Sequence, residues 1–377
     1  MDILVIYPIP INHELANRSR QTWHANSLGA SRSSKLDIDM IALNLSRRDL
    51  IQKAAVGAIA VGNGGFLEMA LAQNTASVNW PQRPVRFIVP FVPGGTSDIV
   101  SRTTANELTK FLPFPVVIEN KAGGGGVPAM QEVARAPGDG HTLIMGHVGS
   151  MAVNPLIFQN TGYDVNKDFT PVTLLAKVPS LFVIHPDVPA KNFSEFVAYV
   201  KRNPGKLNYG SAGNASAGHL AMEYLKLATG MFLTYIPYRG TGPALTDLLA
   251  GRTQAFSAGT PALLQYIRSG RLRAIATGTP KRLPSLPDVP TVAESGYKGF
   301  ESVQWYGVMA PGTTPPELVK KIQEECARAL KSSVITERFA SEDAVIGGGP
   351  SSEFAAFISQ QQVLWKDVVA RARIKPD

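Results

Sequence analysis

The sequence predicts an α/β protein with mostly parallel sheets, arranged in two lobes. Three observations lead there. Short apolar runs of strand length alternate with longer segments whose apolar residues recur at helical spacing. Glycine-rich turns stand where a run gives way to a helical segment. A chain of 377 residues that is 44% apolar is too long for one core to organise comfortably, and far too apolar to stay unfolded.

Taken in order, the chain begins with a stretch that does not share the alternation. Ser46-Arg47-Arg48-Asp49-Leu50-Ile51 and Lys53 precede a Gly/Ala-rich apolar segment ending in Ala70-Leu71-Ala72. Paired arginines before a mildly apolar segment are the mark of a twin-arginine export signal, and the small residues at 70 and 72 place cleavage before Gln73. The competing reading is a membrane anchor, against which Gly57, Gly62, Gly64, Gly65 and Glu68 count. Met40 lies six residues before Ser46, where such a signal normally begins. Translation is therefore expected to start there, and sequencing an unprocessed precursor from Met1 would refute this. Residues 1–72 are expected to lie outside the fold. They hold seven basic and six acidic residues, so the formal charge of +8 falls only to +7 in the remaining 305.

The mature part opens with a strand over 85–89, stopped by Pro90 and the turn Pro93-Gly94-Gly95. Val100, Thr104, Leu108 and Phe111 then share one helical face. Further strands are expected at 116–119, 142–145, 181–185, 207–210, 233–236, 253–257 and 272–276, with helices over 194–201, 218–228 and 262–269 between them. Strand–helix alternation at this rhythm favours parallel pairing. Thr313-Thr314-Pro315-Pro316-Glu317 reads as a helix start, with capping hydroxyls, proline in the first turn and an acid near the positive end of the dipole. Leu318, Ile322, Cys326 and Ala329 follow on one face, which makes Cys326 a small core residue rather than a reactive thiol. A last helix is expected from 352 to about 369.

Composition excludes several functions. A single cysteine rules out intrachain disulfides and CxxC metal sites, and the six histidines show no HExxH spacing. Lys and Arg are scattered, with no basic run and no interleaved aromatics, so nucleic acid is not an expected partner. The glycines at 123–126 lack the GxxxxGK[ST] of a phosphate loop and the GxGxxG of a dinucleotide fold, so no cofactor is expected.

The candidate site is a pair of turns. Pro93-Gly94-Gly95-Thr96-Ser97-Asp98 and Gly210-Ser211-Ala212-Gly213-Asn214-Ala215-Ser216 each leave a strand and open a helix. Glycine lets a ligand approach the backbone, and the free N–H groups of a helix's first turn favour an anion such as a carboxylate. Thr96, Ser97, Ser211 and Ser216 add hydroxyls. In an open α/β sheet, ligands bind beyond the carboxyl ends of the strands, where these turns lie. Either turn alone is also consistent with a plain connection, Asp98 with a helix-dipole role and His219 with packing. A hydrolase built from Ser211 or Ser216 with His219 and Asp98 stays open as an alternative, although no GxSxG elbow is present.

Several stretches carry a family likeness in order and spacing: Phe91-Val92-Pro93-Gly94-Gly95 with Asp98 and Arg102, Val117-Ile118-Glu119-Asn120-Lys121, Pro137-Gly138-Asp139-Gly140-His141-Thr142-Leu143, Tyr209-Gly210-Ser211-Ala212-Gly213 with Ser216 and His219, Pro237-Tyr238-Arg239-Gly240, Gly270-Arg271-Leu272, and Trp305-Tyr306-Gly307. With them the mature chain resembles the periplasmic substrate-binding receptors of tripartite tricarboxylate transporters, the Bug receptor family. The resemblance implies a two-lobed periplasmic binding protein of the Venus-flytrap type II kind. Its chain would cross between lobes near 176–180 and 300–304, giving 73–177 and 303–377 as one domain and 178–302 as the other. It implies a small organic carboxylate as ligand, inner-membrane transporter subunits as partners, a monomer, a periplasmic location and no catalysis. Carried over by position, the grip comprises Pro93, Gly94, Gly95, Thr96 and Asp98 from the first turn and Ser211, Gly213 and Ser216 from the second. Ser150 and Asn154 follow as cleft residues, with Gly259 on the far wall. Gly146-His147-Val148-Gly149 is a loose match, which leaves His147 to help set selectivity. A role in signalling to a sensor rather than feeding a permease is not distinguished by these residues.

Overall fold

The computed structural model describes residues 79–376. The export signal, its cleavage point and the start at Met40 lie outside them. Among the described residues, ten strands form one continuous network with the order β2-β1-β3-β9-β4-β7-β5-β6, while β8 and β10 pair with β4. In chain order these are β1 (Val85–Val89), β2 (Val116–Asn120), β3 (Thr142–His147), β4 (Phe169–Ile184), β5 (Asn208–Ser211), β6 (Thr234–Pro237), β7 (Ala255–Gly259), β8 (Arg273–Thr277), β9 (Val303–Pro311) and β10 (Val345–Ile346). The longer helices are α1 (Thr96–Phe111), α2 (Val127–Ala134), α3 (Phe193–Arg202), α4 (Ala217–Thr229), α5 (Thr241–Leu249), α6 (Thr260–Arg268), α7 (Pro316–Leu330), α8 (Ser333–Ser341) and α9 (Ser351–Ala372).

Two parallel trios repeat the same plan. In the first, β1 lies between β2 and β3 and is parallel to both. In the second, β5 lies between β6 and β7, again parallel to both. The chain thus turns opposite ways on leaving the middle strand and its neighbour, which opens a crevice at the carboxyl end of each trio.

The expectation of mostly parallel sheets needs qualification, because the strands between the trios run antiparallel. β4 pairs with β9 from Phe169↔Pro311 to Pro179↔Val303 and then with β7 from Ser180↔Gly259 to Ile184↔Ala255. It therefore leaves one half at Pro179 and enters the other at Ser180. β9 returns alongside it and pairs antiparallel with β3. A strand that carries the chain out and another that carries it home must run in opposite directions.

Each half buries apolar side chains on both faces of its sheet. In the first, α1 and α7 cover one face with Val100, Leu108, Leu318, Ile322 and Cys326, and α9 covers the other with Phe354, Ile358 and Trp365. In the second, alternation along β4 sends Phe182 and Ile184 toward α3 and α4, and Leu181 and Val183 toward α5 and α6. Both faces being covered explains why this part of β4 reads as an unbroken apolar run. Each large side chain so buried contributes roughly 1.5–3 kcal/mol. Cys326 sits at 1% exposure within the first core, as its helical position predicts.

Candidate ligand-binding site

The two crevices face each other around a small cavity. Its wall contains Thr96 and Ser97 from the start of α1, Ser216, Ala217 and Gly218 from the start of α4, and Thr241, the first residue of α5. Three helices of 16, 13 and 9 residues thus direct their N-termini at one point. The first N–H groups of a helix have no intrahelical partner, and the aligned peptide dipoles leave a partial positive charge there. No Asp, Glu, Lys or Arg lines the cavity. An anion would be held by backbone dipoles, hydroxyls and neutral side chains.

The sequence explains this placement. α1 starts where β1 is stopped by Pro90 and redirected through Gly94, whose φ of +88° is natural only for glycine. Gly94 N donates to the Asp98 carboxylate at 3.0 Å, and Arg102 and Asn120 donate to the same group. At the second turn, Gly213 adopts φ +111°, and Ser216 caps α4 by accepting from His219 N at 3.3 Å.

The halves approach closely at this point. Gly259 N donates to Thr96 Oγ1 at 3.2 Å. A Cβ on Gly95 would lie 2.8 Å from Thr241 Oγ1, and one on Gly149 would lie 2.1 Å from the Ala215 carbonyl oxygen. The cavity measures about 30 Å³, room for little more than a water-sized group. At Phe91 and Ala212 it meets a groove of about 610 Å³ lined by the glycines at 123–126, Gly213 and Arg239.

The structure sorts the sequence candidates into four groups. Thr96 and Ser216 stand in the cavity wall, with Gly95 and Gly259 as close-approach points beside it. Gly213 lines the adjoining groove. Pro93 and Gly94 are exposed, outside both linings. Asp98, Ser150, Asn154 and Ser211 line neither and are hydrogen-bonded to their own surroundings, with Asn154 Oδ1 left unpaired. Asp98 organises the first turn. Ser150 Oγ bonds the His147 backbone at 3.3 Å, and Asn154 Nδ2 donates to the Gly125 carbonyl at 2.9 Å. Ser211 Oγ accepts from Gly213 N at 3.1 Å and pairs with the Tyr235 hydroxyl at 3.0 Å. The hydrolase constellation is not assembled. His219 Nδ1 accepts from Ala215 N, its ring packs against Tyr235 at 4.4 Å, and Asp98 is committed elsewhere. Burial lowers the His219 pKa to about 4.

Sequence reasoning missed Ser257, Gln304 and Tyr306, which line the cavity with His147. By sequence Ser257 is the end of an expected strand and Tyr306 part of the stretch Trp305-Tyr306-Gly307. Their common signal is a polar side chain inside an apolar strand, since all four are buried in β3, β7 or β9. His147 is 1% exposed, and burial lowers its pKa to about 3. Its Nδ1 accepts from Gly149 N at 3.0 Å, so the neutral ring carries its proton on Nε2.

A two-lobed α/β fold with opposed crevices, linked by a pair of antiparallel strands, is that of a periplasmic binding protein. The sequence profile described as TctC, Tripartite tricarboxylate transporter family receptor, matches residues 100–373, and the chain belongs to that family. It is similar to the periplasmic binding protein BugD, at 36% identity and TM-score 0.75 over 79% of this chain and 100% of that one. It is also similar to Rpa4515 of R. palustris with adipate, at 35% identity and TM-score 0.76 over 79% and 100%. MatC of Rhodopseudomonas palustris with bound malate is 35% identical, with TM-score 0.73 over 77% and 100%. Among the described residues no helix is long and apolar enough to cross a membrane, and no cluster of three or more His, Cys, Asp or Glu could hold a metal ion.

Proposed function

We propose that the chain is a periplasmic solute-binding receptor that closes around a small organic carboxylate and delivers it to the membrane subunits of a tripartite tricarboxylate-type transporter. The observation that carries this reading is the convergence of three helix N-termini, from both halves, on a cavity without ionised side chains. Such a site supplies donors for a negative charge and no general base poised for turnover. The adipate and malate in the related structures support a carboxylate as the ligand class.

In this reading residues 73–177 and 303–377 form one lobe and 178–302 the other, and the strands crossing at Pro179–Ser180 and Ser302–Val303 act as the hinge. A ligand touched by both lobes stabilises the closed form by its differential affinity, and the closed form presents the docking surface. The protein acts as a monomer, reaches the periplasm by the twin-arginine route and is cleaved before Gln73. Thermal-shift screening of residues 73–377 against a carboxylate panel tests the reading, because a ligand bound only by the native state raises the melting temperature. A flat panel that includes malate and adipate would sink it.

A further inference from the structure

The deep side of the cavity carries three buried polar atoms with no hydrogen-bond partner: His147 Nε2, Ser257 Oγ and Gln304 Nε2. Their residues are 1%, 1% and 3% exposed and come from three strands, β3, β7 and β9. Leaving such groups unpaired is costly, so a ligand that pairs them gains accordingly.

Two of the three offer a proton, and the third can do so. His147 accepts at Nδ1 and therefore offers a proton at Nε2. Gln304 is oriented by its neighbour: the Tyr306 hydroxyl donates to Gln304 Oε1 at 2.6 Å. With its oxygen occupied, the amide turns its NH₂ to the cavity. Ser257 supplies a hydroxyl. No carboxylate lines the cavity to receive an ammonium, since Asp98 is held behind it by Gly94, Arg102 and Asn120. An ammonium brought here would be desolvated, without a counter-charge, against outward-pointing N–H donors and positive dipole ends.

We propose that His147, Ser257 and Gln304 select a short carboxylic acid that bears a second acceptor oxygen (a carbonyl, hydroxyl or further carboxylate) and reject the isosteric amino acid. This rests on the receptor reading above and names its substrate class. Once the halves part enough to enlarge the cavity, the helix N-termini take the first carboxylate, and the three side chains read the second group. Tyr306 acts as a positioning residue, fixing which end of the Gln304 amide faces the ligand.

The test is calorimetric titration of residues 73–377 with matched pairs, malate against aspartate, 2-oxoglutarate against glutamate and pyruvate against alanine, with adipate added. At least one acid without an ammonium should bind, and its amino partner should bind at least 100-fold more weakly. Gln304→Met and Ser257→Ala should each weaken the binding acid by roughly tenfold, with the ligand-free melting temperature showing that the variants fold. Tyr306→Phe should shrink the oxo-to-amino ratio more than it lowers affinity for the acid alone. An amino acid that binds as well as its partner, or a Gln304→Met protein of undiminished affinity and selectivity, overturns this assignment and leaves the receptor reading standing. If no acid in the set binds, both fall.

Discussion

Thr96 Oγ1 accepts a hydrogen bond from Gly259 N at 3.2 Å, joining the first residue of α1 to the last residue of β7 across the cleft. The contact requires glycine on one side. A Cβ at 259 would lie 2.7 Å from Thr96 Cγ2 and 2.8 Å from Val178 Cγ1, although its φ of −71° suits any residue. Gly259→Ala should therefore prevent full closure without straining its own backbone. Overpacking of this kind costs about 1–3 kcal/mol, or roughly 5- to 150-fold in affinity. Small-angle scattering with saturating ligand should show the radius of gyration staying near its ligand-free value. A variant that contracts like the wild type would contradict the closure role.

Gly95 and Gly213 separate two ways in which a glycine can matter. Gly95 has φ −84°, which any side chain tolerates, but its Cβ would press on Thr241 Oγ1 at 2.8 Å. Gly95→Val is expected to abolish carboxylate binding while the ligand-free melting temperature stays close to wild type. Gly213 has φ +111° and a Cβ position 3.1 Å from the Tyr238 carbonyl oxygen, so Gly213→Val adds backbone strain of about 1–3 kcal/mol. That variant should lose both binding and several degrees of melting temperature. Paired melting and titration curves check both, and unchanged affinity in either variant counts against the proposed grip.

Cys326 offers a test of the first core. It is enclosed by the cluster containing Ile322 and Ala329, and burial pushes its thiol up to about 12. A thiol-specific disulfide reagent at pH 8 should leave the native protein unlabelled and react at once after denaturation. Cys326→Ser puts a hydroxyl where the neighbours are apolar, and the expected loss is about 1–3 kcal/mol in a urea titration. Rapid labelling of the folded protein would mean that α7 does not pack as described.

What the sequence showed depended on whether a segment's pattern is local. β1 was legible to the residue and α4 to within one at each end, and α1 and α7 were legible as helices, because each has a clear pattern and a clear stop or start. The first part of β4 was not, since Pro171 and Pro179 argue against a strand and are accommodated only by the irregular register with β9 and the change of partner at 179–180. β9 went unread as a strand for the matching reason that it pairs with β3 and β4, more than a hundred residues away. Glycine and proline at 123–128 and 240–243 hid α2 and α5. In the site, turn chemistry exposed Thr96 and Ser216. Gln304 and Ser257 stayed hidden because a single polar residue in a buried strand acquires meaning only when the fold sets it beside another.

Two buried histidines make stability depend on pH. His147 and His219 are neutral in the fold, with burial lowering their pKa values to about 3 and about 4, while an unfolded chain binds a proton near 6.5. Above that value neither state is protonated and the two histidines contribute no slope. As the pH falls through 6.5 toward 4 and 3 the unfolded state takes up protons first, so stability declines across this window and levels off below it. At pH 5 the deficit reaches up to about 2 kcal/mol per histidine. Carboxylates such as Glu119, which its hydrogen bond from Arg86 holds below the usual range, act at lower pH. The urea midpoint should accordingly drop between pH 7 and pH 5, and His219→Gln should reduce the drop by about half. Equal midpoints at the two pH values would show that the rings are solvated in the folded protein, and the neutral His147 donor at the ligand site would have to be abandoned with them.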